Sequence, residues 1–133
     1  MKKKIIYSDK VIKPVGPYSQ AISVSPNGSE GEPGLIFISG LVGIDPNTGV
    51  IPNDVAEQTN IILKSMESIL EAANSSMDNV LKTTIFLTNL EDYQTVNNIY
   101  ASFFSHYPAR ATVVVSKLVK PELTVEIEAI AHK

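Results

Sequence analysis

Residues 123–131, LTVEIEAIA, set the tightest limit on the fold. On an extended chain, Val125, Ile127, Ala129 and Ala131 point one way, and Thr124, Glu126, Glu128 and Ile130 the other. A strand with one apolar face needs a layer to cover that face. Two amphipathic stretches can supply it. Asp54 suits a helix N-cap, Glu57 stands at the capping-box position, and Val55, Ile62, Met66, Ile69, Leu70 and Ala73 follow helical spacing. A helix is therefore predicted from Asp54 to about Ala73, with Asn74 ending it. A second runs from about Glu91 to Phe104, with Tyr93, Val96, Tyr100, Phe103 and Phe104 as its apolar side. Those rings read as core rather than as a cofactor platform. Pro108 closes the segment.

Further strands lie around the helices. KIIY (4–7) reads as a short edge strand, and KPVGPYSQAISV (13–24) as a turn leading into a strand. SPNGSEGEPG (25–34) reads as an exposed hairpin loop, LIFIS (35–39) as a buried strand, and DPNTG (45–49) as a tight turn. In VLKTTIFLT (80–88), Leu81, Thr83, Ile85 and Leu87 share one face, with Val80, Lys82, Thr84 and Phe86 on the other. ATVVVS (111–116) is apolar enough to suggest burial on both faces. The order of strands, helix, strand, helix, strands implies an α+β layer: a sheet with two helices packed on one face. Neither a repeat nor a linker divides residues 1–133, so one domain is expected.

Composition narrows the function classes. The chain contains no cysteine, which removes thiol catalysis, zinc–thiolate sites and disulfides. The formal charge is −3, and the one basic cluster, Lys2–Lys4, reads as a solvated terminus. A nucleic-acid partner is not expected without a basic stripe. The two histidines, His106 and His132, have no carboxylate at ligand spacing, so no metal site is expected. GxGxxG, P-loop and GxSxG patterns are absent, and no cofactor is expected. The apolar run near the start is too short for a secretory signal, and no stretch approaches membrane-spanning length, which points to the cytoplasm.

Arg110, Glu126 and Glu128 remain. Arg110 opens the strand in PARATVVVS (108–116), and the glutamates share a face of the last strand. If those strands are adjacent and antiparallel, one glutamate can approach the arginine. The arrangement is then either a structural ion pair at a sheet edge or a carboxylate-binding arginine beside an acid or base. Surface ion pairs typically contribute only about 0–1 kcal/mol, so stability is a weak reason for it.

The segment PARATVVVSKLVKPELTVEIEAIA (108–131) resembles the signature of the reactive intermediate deaminase family, also called the RidA, YjgF or liver perchloric-acid-soluble protein family. GPYSQA (16–21), IFISGLVGIDPNTG (36–49) and VLKTTIFLTNLEDYQTVNNIYASFF (80–104) match it in the same order, so the resemblance covers nearly the whole chain. It implies a chorismate-mutase-like subunit and a homotrimer, with sheets around a central β-barrel and clefts between subunits. It also implies hydrolysis of 2-imino acids, or their enamine tautomers such as 2-aminoacrylate, to 2-keto acids and ammonia without a cofactor. The partner implied is a small 2-imino or 2-keto carboxylic acid.

Carried over residue by residue, Arg110 matches the arginine that grips the carboxylate, and Glu126 the glutamate that orients or activates water. Tyr18 matches the tyrosine lining the cleft. Ser39 and Gly40 of FISG and Asn97 of TVNN match lining positions. Thr112 stands where many relatives have cysteine, which leaves a backbone N–H but no thiol. The loop at 25–34 is longer than the usual hairpin, and the turn at 118–123 is one residue longer than in some members. Endoribonuclease activity, reported for some relatives, and non-catalytic ligand binding or chaperone-like function are the alternatives.

Overall fold

The computed structural model describes residues 1–133. Six strands form one sheet: β1 (Lys2–Ile6), β2 (Ala21–Ser25), β3 (Leu35–Val42), β4 (Val80–Leu87), β5 (Ala109–Val114) and β6 (Val125–His132). Two helices, α1 (Val55–Ala72) and α2 (Tyr93–Phe103), pack on it. The order across the sheet is β1-β2-β3-β6-β4-β5. The last strand in sequence is thus inserted between β3 and β4, antiparallel to both. Only β4 and β5 pair in parallel, and α2 supplies the crossover that such a pair requires.

The alternation in β6 does what its pattern predicts. Val125, Ile127, Ala129 and Ala131 are buried together with Ile36 and Ile38 of β3 and Ile85 and Leu87 of β4. Ile62, Leu63, Met66, Ile69 and Leu70 of α1 and Val96 and Tyr100 of α2 cover that face. The Asp54 side chain caps α1 by accepting from the Ala56 N–H at 2.9 Å. Glu57 makes no bond back to Asp54, so the expected capping box reduces to a single cap. Asn74, at φ 57°, ends the helix in the left-handed conformation that asparagine tolerates.

Buried polar groups tie the remaining segments down. Gln58 is fully buried, yet its amide donates to the carbonyls of Pro52 and Glu122 and its oxygen accepts from Thr124. Gly43 lies against it, where an added Cβ would stand 2.5 Å from the Gln58 Cβ. Gln20 accepts from the Ser8 N–H and donates to the carbonyls of Ser8 and Ile12, which holds the segment after β1 against the sheet.

Two readings of the strands need correction. The register slips between Val80 and Lys82, which leaves Leu81 exposed rather than inside with Thr83 and Ile85. β5 is not buried on both faces. It is an outer strand, and its Val113 is 44% exposed. An apolar run shows which residues avoid water but not how many strands lie beside them. β1, the other outer strand, carries Lys2, Lys3 and Lys4 along its length, a common guard against unwanted strand addition. No helix of the chain is long and apolar enough to cross a membrane.

Candidate active site

The parallel register fixes where Arg110 points. Thr83 pairs with Arg110, and Ile85 with Thr112. In-register neighbours share a face, so Arg110 and Thr112 lie on the helix-covered face. There the Arg110 guanidinium carbon sits 5.0 Å from the Tyr100 ring centroid and 5.9 Å from that of Tyr93. One guanidinium nitrogen donates to the Tyr93 Oη at 3.4 Å. The Tyr100 hydroxyl is shared with the Thr83 hydroxyl at 2.7 Å, and burial raises its pKa. A hollow of about 330 Å³ opens beside the arginine, lined by Asn97, Tyr100, Ala101, Tyr107, Pro108 and Arg110.

No carboxylate pairs with Arg110. The two ion pairs in the chain are Lys4–Glu30 and Lys10–Glu71. The sheet order explains why. β4 separates β5 from β6, so the adjacency that would bring a glutamate to the arginine does not exist. Glu126 and Glu128 register with Phe86 and Thr84 on the opposite, helix-free face. An ion pair at the sheet edge is therefore excluded within one chain.

Glu126 occupies a place made by a missing side chain. β3 and β6 slip register between Ile38 and Leu41, and Gly40 lies in that irregularity. A Cβ on Gly40 would come 2.8 Å from the Glu126 carboxyl carbon. Burial raises the Glu126 pKa, and the Glu128 charge adds to the shift. Ser39, beside Gly40, donates from Oγ to the Ser19 carbonyl at 2.6 Å. Tyr18 is half exposed, and its Oη accepts from the Val15 N–H at 3.4 Å. Tyr18, Ser39 and Gly40 line one hollow, whereas Arg110 and Asn97 line another. The chain thus gathers the expected residues into two groups and does not join them.

Thr112 has an observation of its own. Its Oγ1 is shielded from water and has no hydrogen-bond partner, the one such side-chain atom in the chain. A buried hydroxyl left unpaired is unfavourable, which makes it a candidate for a bond completed by a ligand or a second chain.

The helical spacing predicts the tyrosines of α2 as core, and Tyr93 departs from that. Tyr100 is buried, but Tyr93 is 40% exposed and lies against Arg110. The signal was present in the spacing. Residues seven apart on a helix return to the same face, so two rings stand over one strand end. Tyr107 at the mouth of the hollow gave no comparable signal.

Comparison with known proteins settles the family. The family described as endoribonuclease L-PSP matches residues 8–133. TdcF of Escherichia coli, provisionally named a reactive intermediate deaminase, is 36% identical over 133 residues, 97% of this chain and 96% of its own. The chain belongs to the reactive intermediate deaminase family. A RutC family protein of Pyrococcus abyssi is 40% identical over 100% of this chain and 99% of its own. The structure of TdcF with bound serine aligns at TM-score 0.85 and 37% identity, covering 98% of both chains. That of a Thermotoga maritima protein, provisionally named an endoribonuclease, aligns at 0.87 and 39%, covering 100% of this chain and 98% of that one.

Proposed function

We propose that this protein hydrolyses small 2-imino acids such as 2-iminopropanoate and 2-iminobutanoate, and that two neighbouring chains build each site. The observation that carries the reading is Arg110: a guanidinium with no carboxylate partner, held by aromatic rings at the mouth of a hollow. Its planar fork matches a carboxylate bidentately. The serine bound in TdcF carries the same carboxylate, which supports the assignment.

Glu126 of a neighbouring chain completes the site in this reading. The separation of Arg110 from Glu126 within one chain favours shared sites, and so do the apolar side chains left open on the helix-free face. Phe37 there is 43% exposed. A homotrimer with clefts between subunits, its sheets closed around a central barrel, satisfies both requirements.

The chemistry needs little machinery. Arg110 holds the carboxylate, and a water attacks the iminium carbon as Glu126 takes its proton. The new C–O bond forms as the C=N π pair moves to nitrogen. Proton return and C–N cleavage then release ammonia, so R–C(=NH2+)–COO− and water give R–CO–COO− and NH4+. Tyr18, Ser39, Gly40, Asn97 and Thr112 line the cleft and shape it around the side chain. Positioned acid–base help of this kind gives about 10²–10⁴-fold.

The test generates the imine in place with an amino-acid oxidase or a threonine dehydratase and follows its decay. Faster decay that vanishes in a folded Arg110→Ala variant is the expected result. No acceleration across several imino acids would refute the reading in favour of ligand binding without turnover.

A further inference from the structure

Arg110 is not free in its hollow. Two rings of α2 determine how it is presented, and they are unlike. Tyr100 is buried, its hydroxyl committed to Thr83, so its ring forms a fixed shelf 5.0 Å from the guanidinium carbon. That is within the range in which a guanidinium is attracted to an aromatic face. The Tyr93 ring lies 5.9 Å from the same carbon, and the residue is partly exposed.

The direction of the hydrogen bond at Tyr93 is informative. Arginine has only donors, so the Tyr93 Oη accepts the Arg110 N–H at 3.4 Å. The nearby Asn97 amide and the Arg110 charge lower the Tyr93 pKa. With its oxygen accepting from Arg110, the Tyr93 hydroxyl still has its own proton to donate. An anion seated on the rest of the Arg110 fork is the natural acceptor.

We propose that Tyr93 is a further binding residue of the carboxylate site: its oxygen orients the Arg110 guanidinium, and its O–H donates to the carboxylate that Arg110 holds. This rests on the reading of Arg110 as a carboxylate clamp. Tyr93 contacts the end of the substrate that does not change during hydrolysis. It therefore contributes equally to ground state and transition state, and its loss raises KM rather than lowering kcat.

The experiment is a calorimetric titration of 2-ketobutyrate, a non-reacting acid of the product class, into wild type, Tyr93→Phe and Arg110→Ala, with imine turnover measured alongside. Tyr93→Phe keeps the ring and removes only the hydroxyl at a partly exposed position, and matched melting curves check its fold. A rise of about tenfold in both Kd and KM is expected, the scale of one hydrogen bond to a charged group, with kcat within about twofold. Arg110→Ala should abolish measurable binding. Wild-type affinity in Tyr93→Phe, with binding lost in Arg110→Ala, would overturn the role of Tyr93 and leave the arginine clamp standing. A fall in kcat at unchanged KM would also overturn it. A wild-type protein that binds no 2-keto acid and turns over no imine would remove the clamp itself, and this assignment with it.

Discussion

Arg110 and Glu126 are the two charged residues the family motifs single out, and the chain handles them in opposite ways. Arg110 is supported by what surrounds it: two tyrosine rings and a phenol oxygen. Glu126 is accommodated by an absence, the missing side chain of Gly40, and no hydrogen bond within the chain holds its carboxylate. The first is oriented before any ligand arrives. The second is given room and a raised pKa, and its orientation is left to whatever approaches the helix-free face. The strand order keeps them apart, because β4 lies between β5 and β6 and the two side chains leave the sheet on opposite sides. If the two act together, the chain encodes both halves of a site without containing the site.

The largest effects should come from removing either half. Arg110→Ala should lower kcat/KM by about 10²–10³-fold, the scale of losing a bidentate pair of hydrogen bonds to a charged group. Glu126→Gln should cost about 10²–10⁴-fold. The decisive experiment mixes the two inactive variants after unfolding and refolding together. If each site takes Arg110 from one chain and Glu126 from the next, random mixing in a cyclic oligomer restores about a quarter of the wild-type sites. If both residues served one chain's site, the mixture would stay inactive, and the shared-site reading would fail.

The Glu126 pKa gives the next effect. Its carboxylate must be ionised to accept a proton from water, and burial, with Glu128 beside it, raises its pKa. Activity should therefore fall on the acid side at a pH above the ordinary glutamate value of about 4.3. Glu128→Gln removes the second cause and should move that acid limb downward. An acid limb at the ordinary value in wild type, or one unmoved by Glu128→Gln, would show that neither group controls it.

Much of this was legible in the sequence because it depends on period. The two-residue alternation of β6 and the helical spacing of α1 gave the layers, and the motifs gave Arg110 and Glu126. The failures have one physical origin. Periodicity assigns faces along a segment and says nothing of which strands end up side by side. It therefore could not place β6 between β3 and β4, show β5 to be an outer strand, or see that Arg110 and Glu126 face apart. The slip at Leu81 breaks the period itself. The role of Tyr93 is hidden for the related reason that an aromatic residue on an apolar helix face has the same sequence pattern whether a core or an arginine lies beneath it.

A smaller contrast tests the two glycines of the β3 region. An added Cβ on Gly43 meets the Gln58 Cβ at 2.5 Å and its Cα at 2.7 Å, atoms of a buried helix that cannot step aside. Gly43→Ala should cost about 1–3 kcal/mol of stability, the range for overpacking, as measured by denaturant titration. An added Cβ on Gly40 meets only the outer part of the Glu126 side chain. Gly40→Ala should melt nearly as wild type and lose activity, because the carboxylate swings away. Equal losses of stability from both would mean that Gly40 serves packing rather than the placement of Glu126.

The smallest effect reads the same carboxylate through stability, where its sign is opposite to its sign in activity. A raised folded-state pKa means that the folded chain binds the Glu126 proton more tightly than the unfolded chain does. Well below the unfolded value both states are protonated, and Glu126 makes no pH-dependent difference. As pH rises from the unfolded pKa through the folded one, the unfolded chain gains more from ionising, and the fold bears a penalty that is complete above the folded pKa. Glu126→Gln cannot ionise and escapes it. The variant should therefore gain stability relative to wild type between about pH 4 and neutrality, while its activity is lost over the same range. Melting curves of both proteins across that window decide the matter. A difference that stays flat with pH would mean that the folded chain does not hold the Glu126 proton more tightly, and Glu126 would then lose its claim to a tuned basicity.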